Sequence, residues 1–370
     1  MGIYIGVDVG GTTSTVCVGD ENGKLIEITP QFPTRSDEGP SATIADIAAE
    51  IIRVLGSNGK QLSDVGMVTI ATPGPATCEG VLLATPNLKH PEWNNCPVRE
   101  LLEKKLREEA RKDDRVDAKI DGGELSVRYL GDGQAAALGE FAVRRGDITV
   151  ASEIASRWNI TVQAPETELN SLFMVAVGTG LGGGEVRNRE VVRGSEGRAG
   201  HAGHLMLPVD VFRYKQDQEL QVGNAFSTVE SAVSLTALTH QLAYRLKLDQ
   251  WKDHSLHAIN GTAKDRAKRL RELAADGDAL ALELFDDQAT ALGVALLMIQ
   301  YIGDYDELVI GGGVCDLAPA VRDRYLSKVK EAFFRRALDG FRSFTAMSFS
   351  HCGDQASVIG AYVDAIVKDA

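Results

Sequence analysis

Ile5-Gly6-Val7-Asp8-Val9-Gly10-Gly11-Thr12-Thr13 is the stretch on which the reading of this chain turns. It begins as an apolar, β-branched run and then meets an acid, two glycines and two hydroxyls. Ser14 to Val18 is again strand-like, and Asn22-Gly23 leads to the apolar Leu25 and Ile26. Strand, tight turn, strand is the simplest arrangement of these residues. Gly10 and Gly11 let backbone N–H groups approach an anion with no Cβ in the way, and Thr12 and Thr13 add hydroxyl donors. Asp8 is poised to hold a metal ion, through water if that ion is Mg²⁺. The plain alternative is a hairpin with glycine at its turn and Asp8 capping it. The stretch alone does not choose between them.

Length and composition narrow the choice. The 370 residues suggest two domains, at roughly 150 residues each, both large enough for a proper core. The formal net charge is −13 and no basic face stands out, so nucleic acid and anionic membrane are poor partners. An acidic protein still binds phosphate locally, through backbone amides and helix N-termini. No basic segment precedes the first apolar run, which Asp8 interrupts, so no signal peptide is expected. Position 6 is Gly6, not Ser or Thr, so a myristoylation signal is lacking. The most apolar stretch, Ala289 to Ile302, contains Gln300 and falls short of the ~20 residues that span a bilayer. Five cysteines are scattered with no CxxC pair, which fits reduced thiols in a cytoplasm and gives no zinc or disulfide framework.

Outward from the first stretch, strands and glycine loops recur. Ser41 to Leu55 has helical spacing. Val65 to Ala71 reads as a buried strand stopped by Thr72-Pro73-Gly74-Pro75. Such a turn lies at the carboxyl edge of a sheet, where α/β folds bind ligands; taken singly, it is a plain turn. Asn87 follows in a loop, either bonding a polar ligand or capping its own backbone. A charged helix runs from Val98 to Lys112. The strand-like Val127 to Leu130 leads into Gly131-Asp132-Gly133-Gln134 and an Ala-rich helix. Asp132 is either an N-cap or a carboxylate fixed at a strand-to-helix corner, free to take a proton from a bound hydroxyl. One geometry serves both.

Arg144 to Asn170 reads as a helix end plus an exposed loop. Phe173 to Val177 is a buried strand, followed by Gly178-Thr179-Gly180-Leu181-Gly182-Gly183-Gly184, with five glycines in seven residues. No Gly-Lys-Ser/Thr follows, and no dinucleotide fingerprint leads into a helix. Arg187-Asn188-Arg189 suggests a second hairpin turn. His201 and His204 lack a third clear metal ligand, so contact with a polar ligand is the stronger reading. Ser227-Thr228-Val229-Glu230 is a capping-box pattern. Helical patterns cover Val229 to Leu246, Thr262 to Ala275 and Asp278 to Ile302. Leu308 to Ile310 is a short strand running into Gly311-Gly312-Gly313-Val314, bare backbone on which a nucleotide base or ribose can lie. A helix from Ala318 to Leu338, a strand from Ser348 to Cys352 and a helix from Ala356 to Val367 complete the chain.

In order and spacing these segments resemble the ROK family (repressors, open reading frames, kinases), from Ile3 to the last helix. The resemblance implies an α/β fold of the two-lobed, actin-like ATPase (ribonuclease H-like) type, with mixed β-sheets flanked by helices and a cleft between the lobes. It implies a small lobe over 1–125, completed by 352–370, and a large lobe over 126–351. It implies ATP-dependent phosphorylation of a sugar hydroxyl, as in a hexokinase or glucokinase. Asp8, Gly10, Gly11, Thr12 and Thr13 match the first phosphate motif, with Mg²⁺ at Asp8. Gly178, Thr179 and Gly180 match the second, and Gly312 and Gly313 the adenosine side. Asp132 sits where the family places its catalytic base. Gly74, Asn87, Gly131, Asp132, His201, His204 and Glu230 fall at sugar-side positions. ATP, Mg²⁺, a small-molecule sugar, a homodimer and a cytoplasmic location follow from the same resemblance.

Three departures stand out. Gly131 occupies a position where the family usually has Asn. His201 replaces the Glu of a Glu-x-Gly-His signature. The cysteines of the family's zinc motif are absent from Gln221 to Glu230, so no structural zinc is expected. The first two changes remove groups that hydrogen-bond a sugar, and such groups discriminate strongly between substrates. The identity of the sugar is therefore open. Family repressors carry a helix-turn-helix ahead of the first phosphate motif, and Asp8 lies too near Met1 for one. A non-catalytic sugar sensor without a DNA-binding part, and a kinase using polyphosphate in place of ATP, are the alternatives.

Overall fold

The computed structural model describes residues 2–85, 87–112, 125–344 and 346–367. The remaining residues of the two expected lobes lie outside these. The chain divides into two compact units. The first is Met1–Leu172, Gly184–Gly200 and His351–Ala370; the second is Phe173–Gly183 and His201–Ser350.

The first sheet begins with β1 (Ile3–Val9), buried at every residue but Tyr4 and Asp8. A nearly unbroken β-branched run of this kind suits a strand covered on both faces. It pairs antiparallel with β2 (Thr13–Asp20). β3 (Leu25–Ile28) and the short β4 (Phe32–Pro33) both pair with β2. α1 (Pro40–Ser57) starts on a proline, where an N–H would lack a helical partner anyway. It buries Ile44, Ile47, Ala48 and Ile51 along one face. β5 (Val65–Thr72) lies parallel to β1. β6 (Val81–Leu82) and β7 (Cys96–Pro97) form a small ribbon before α2 (Val98–Ala110). β8 (Ser126–Gly131) then adds parallel to β5, giving the order β3-β2-β1-β5-β8 with β4 on β2.

α3 (Asp132–Arg145) leaves β8 with no intervening loop. α4 (Ser152–Trp158) lies inside the segment that the sequence reads as loop. It has no fully buried residue, so it carries no apolar stripe to betray it. The lobe boundary expected at residue 125 also differs from the observed division. Ser126–Leu172 belongs to the first unit, because β8 extends that unit's sheet.

The second sheet holds β9 (Ser171–Val177), β10 (Leu181–Arg187) and β11 (Glu190–Val191). The β10–β11 turn sits on Asn188 and Arg189, whose φ values of 51° and 69° are those of a twisted two-residue hairpin. The helix expected over 229–246 is two helices, α5 (Val229–Val233) and α6 (Leu235–Arg245). Ser234 breaks it by turning extended and accepting the Ala237 N–H as an N-cap at 3.0 Å. α7 (Ala263–Lys268) and α8 (Leu270–Ala275) lead to the long α9 (Ala279–Gly303). β12 (Glu307–Gly312), α10 (Pro319–Arg336), β13 (Met347–Phe349) and α11 (Ala356–Ile366) follow. The strand order is β11-β10-β9-β12-β13. Among the described residues no helix is long and apolar enough to cross a membrane.

Within the first unit, α3 and α11 cross backbone to backbone. A Cβ on Gly139 would lie 2.1 Å from the Ala356 carbonyl oxygen, and one on Gly360 1.7 Å from that of Ala135. Only glycine permits this approach. The contact holds the start of α3 and the start of α11 in a fixed relation, and both carry residues of the site.

Candidate active site

Strand register assembles the first half of the site. Asp8 on β1 is opposite Ala71 on β5, and Ala71 is opposite Leu130 on β8. Thr72 is opposite Gly131. The carboxyl ends of three adjacent parallel strands therefore bring Asp8, the Thr72–Pro75 turn and the Gly131-Asp132 corner to one edge. Gly74 belongs to that turn, which the Thr72 and Tyr129 hydroxyls brace through a 3.1 Å hydrogen bond.

The β1–β2 turn is anchored through its carbonyls. Gly10 N–H donates to the Thr13 carbonyl at 2.9 Å, closing the turn. Thr34 Oγ1 donates to the Gly10 carbonyl at 2.8 Å and Ser36 Oγ to that of Gly11 at 2.9 Å. Thr34 N–H donates to the Thr12 carbonyl at 2.9 Å. The N–H groups of Gly11 and Thr12 make no hydrogen bond among the described residues. They, with the Thr12 and Thr13 hydroxyls, are the donors left for an anion. Gly10 keeps the turn's shape but spends its own N–H there. The Asn87 loop abuts this turn, since a Cβ on Gly11 would stand 2.7 Å from the Asn87 carbonyl oxygen. Asn87 itself is exposed.

Asp132 is the first residue of α3, and Gly131, extended at φ −70° and ψ 147°, is the N-cap. Asp132 Oδ1 accepts the Gly133 N–H at 2.7 Å. The carboxylate keeps an accessible face. Protein nevertheless crowds it, and the lost hydration pushes its pKa up to about 6, against the pull of the Gly133 N–H. Asp8 is half-buried and is pushed further, to about 7. Desolvation is the main cause; the Ser357 hydroxyl opposes it, while the Asp132 and Asp354 charges reinforce it. Ser357 Oγ donates to Asp8 Oδ1 at 2.7 Å.

Lost hydration is the main cause of both shifts, and a divalent cation bound nearby would favour the ionised form of either group. Among the described residues no three His, Cys, Asp or Glu groups are gathered as a metal cage. Asp8 fits Mg²⁺ in its usual setting, one or two carboxylates with the rest supplied by water and phosphate.

The second unit repeats the arrangement. Gly178 N–H donates to the Gly180 carbonyl at 2.9 Å. The Gly178 carbonyl accepts the Leu235 N–H at 2.9 Å and the Thr179 carbonyl accepts Thr236 Oγ1 at 2.9 Å, tying the turn to the start of α6. The N–H groups of Thr179 and Gly180 make no hydrogen bond among the described residues. Gly312, at φ 77°, lies against this hairpin; a Cβ there would be 2.5 Å from the Val177 carbonyl oxygen. The Arg271 guanidinium lies across Gly313 and pairs with Asp316 at 3.2 Å. The second and third glycine loops are thus neighbours within one unit.

Glu230 does not close the capping box that its sequence pattern suggests. The N-cap is Thr228, one residue later than expected, and its hydroxyl accepts the Ser231 N–H at 3.1 Å. Glu230 turns instead to the glycine hairpin, where its Oε2 accepts the Leu181 N–H at 2.7 Å. His201 and His204 are exposed on either end of a short 3₁₀ turn, with ring centroids 6.1 Å apart. Sequence reasoning missed Ser357, whose partner Asp8 is remote in the chain, and Gln134, whose partners Gly197 and Ala199 are.

The model of the ROK family matches residues 4–122 and 147–369. The chain belongs to the ROK family. This ROK protein is 26% identical over 362 residues to a glucokinase of Halalkalibacterium halodurans, covering 96% of this chain and 93% of that protein. Its structure is similar to a ROK family glucokinase from Streptomyces griseus, solved with glucose and AMPPNP, at TM-score 0.69 and 23% identity over 98% of this chain and 99% of that one. It is also similar to a ROK family transcriptional regulator, a homologue of the E. coli MLC protein, at TM-score 0.70 and 18% identity over 98% of this chain and 78% of that one. The fold is the actin-like ATPase fold of this family.

Proposed function

We propose that this ROK protein transfers the γ-phosphoryl group of ATP to a hydroxyl of a sugar. The observation that carries the reading is the placement of Asp132 and Asp8 at the ends of strands in one sheet, beside a turn with open amides, near enough for the Asp132 charge to raise the Asp8 pKa. The glucokinase relatives support the same reading.

In this reading Asp132 is the general base. Its Oδ1 is held by the Gly133 N–H, which leaves Oδ2 to take the proton of the attacking hydroxyl. The sugar oxygen bonds to the γ-phosphorus as the bond to the β-phosphate oxygen breaks, and ADP leaves with the electron pair. A pKa raised to about 6 leaves the base ionised at neutral pH while strengthening it as a proton acceptor. Within the first unit the Gly11 and Thr12 N–H groups and the Thr13 hydroxyl are the donors suited to phosphate oxygens, and within the second unit the Thr179 and Gly180 N–H groups are donors of the same kind. Gly10 and Gly178 fix the two turns, and Gly312, beside Gly313 with the Arg271 guanidinium across it, is the adenosine-side segment of the second unit. Gly74, Asn87 and Gly131 are the sugar-side positions of the first unit, and His201, His204 and Glu230 those of the second. Mg²⁺, when bound, neutralises charge on the phosphates, and Asp8 is the residue that would hold it through water. Positioning and electrostatics carry the reaction.

A sugar sensor is the second reading. It is favoured by the lack of a side chain at Gly131 and by the regulator among the structural relatives. ADP release with Mg-ATP, measured across hexoses, amino sugars and polyols with polyphosphate as a parallel donor, separates the two. Sugar-dependent ADP release supports the kinase. Silence across the panel, with tight sugar binding by calorimetry, replaces it with the sensor.

A further inference from the structure

We infer that Gln134 is a positioning residue for the acceptor side of the site, locking the segment Gly194–Gly200 onto the first turn of α3 beside Asp132. The kinetic part of this inference rests on the kinase reading; the structural part does not.

Gln134 is only 4% exposed and every polar atom of its amide is used. Oε1 accepts the Gly131 N–H at 3.3 Å, reaching back to the N-cap as the third residue of a capped helix does. Nε2 donates to the Gly197 carbonyl and to the Ala199 carbonyl, each at 3.1 Å. The opposite amide orientation would set a donor against the Gly131 N–H and an acceptor against two carbonyls, so the network fixes the orientation.

The segment it holds has a shape of its own. Gly194, Gly197 and Gly200 take φ values of 76°, 79° and 99°. Gly197 presses on the loop after the Thr72–Pro75 turn, where a Cβ would stand 2.8 Å from the Cys78 nitrogen. The segment is tethered ahead of its start by Arg193, which donates to the Tyr129 carbonyl at 3.0 Å and to Asp364 Oδ1 at 2.6 Å. Arg193 holds β8 and α11; among the described residues the hydrogen bonds from Gly194–Gly200 to the helix that begins with Asp132 are those of the Gln134 amide. The chain then runs directly into His201. A side chain without that amide frees the segment next to the base while leaving the Asp132 bond to Gly133 in place.

The test uses the full-length protein with Gln134→Met, which keeps the side-chain length without its hydrogen bonds, and Gln134→Asn, which keeps the amide but is too short to bridge both sides. Hydrogen exchange of peptides covering 193–200 is expected to quicken in both variants, with peptides from the second unit's core unchanged. The acceptor KM is expected to rise about tenfold, as for lost buried hydrogen bonds, with the ATP KM within about twofold of wild type. Exchange at 193–200 indistinguishable from wild type in the variants that fold overturns the inference. So does an equal rise in both KM values. Should the wild type turn over no sugar, the kinase reading fails at that step, and the exchange data alone then decide the role of Gln134.

Discussion

Ser357 Oγ donates to Asp8 Oδ1 at 2.7 Å, joining the last helix to the first strand across 349 residues. This bond is the one contribution that holds the Asp8 pKa down, against burial and against the charges of Asp132 and Asp354. In Ser357→Ala, Asp8 is expected to keep its proton to a higher pH than the value of about 7 that it has with the serine in place. The acidic limb of kcat/KM for ATP should move to higher pH, and more Mg²⁺ should be needed for half-maximal rate. A pH–rate profile at several Mg²⁺ concentrations reads both. An unmoved limb would mean that Asp8 is not the titrating group.

The same carboxyl makes a prediction about stability. Its folded pKa of about 7 lies above the ordinary value of 3.8, so between these limits the folded state binds more protons than the unfolded one. Stability from this group falls as pH rises through that window, and the full penalty is present above it. Asp8→Asn keeps an acceptor for Ser357 and removes the charge. It should raise Tm at pH 8, and the gain should vanish near pH 4. Activity should be lost at both. A Tm gain independent of pH would show that burial of the charge is not the cause.

Asp132→Asn keeps the shape of the carboxylate and its acceptor for the Gly133 N–H, but cannot take a proton. Turnover is expected to fall by about 10²–10⁴, with sugar affinity by calorimetry more nearly intact. In the wild type the rate should decline below pH about 6, where Asp132 becomes protonated. Near-normal turnover in the variant would remove Asp132 from the chemistry.

These expectations divide along a physical line. Glycine runs after apolar strands are local signals, so the Gly10, Gly178 and Gly312 loops and the Asp132 corner are legible in the sequence. The Ser357 bond to Asp8 and the Gln134 bonds to Gly197 and Ala199 are not local. Gly197, for instance, stands 63 residues from Gln134. Ser234 breaks a helix although the apolar spacing continues across it, because its cap is a matter of side-chain geometry. β8 falls in the first unit, past the boundary expected at 125, because β5 pairs with it through a register that no window of sequence displays.

The α3–α11 crossing ties Asp132, at the start of α3, mechanically to Ser357 on α11 and so to Asp8. A methyl on Gly360 would meet the Ala135 carbonyl, a backbone atom with no rotamer to yield. Gly360→Ala is expected to destabilise the protein by about 1–3 kcal/mol and to lower turnover, because Asp132 and Ser357 both ride on the displaced helices. Chemical denaturation and steady-state rates measure the two effects. An unchanged midpoint would show that the helices part without penalty.

Gly131→Asn tests what the glycine beside Asp132 does to substrate choice. A Cβ there meets nothing nearer than Gln134 Oε1 at 3.6 Å, an ordinary contact, and the backbone at φ −70° and ψ 147° suits any residue. The Gly131 N–H stays available to Gln134, and Asn is a good N-cap, so stability should hold or gain a few tenths of a kcal/mol. The new amide would stand next to Asp132, able to donate to one sugar hydroxyl and accept from another. A site that bonds a hydroxyl rejects analogues lacking it far more strongly than a bare wall does. The variant should therefore narrow the range of accepted sugars and lower the KM of those that keep the bonded hydroxyl, with kcat little changed. Profiles of kcat/KM across the same sugar panel decide it: a variant with the wild-type ranking would show that position 131 does not face the acceptor.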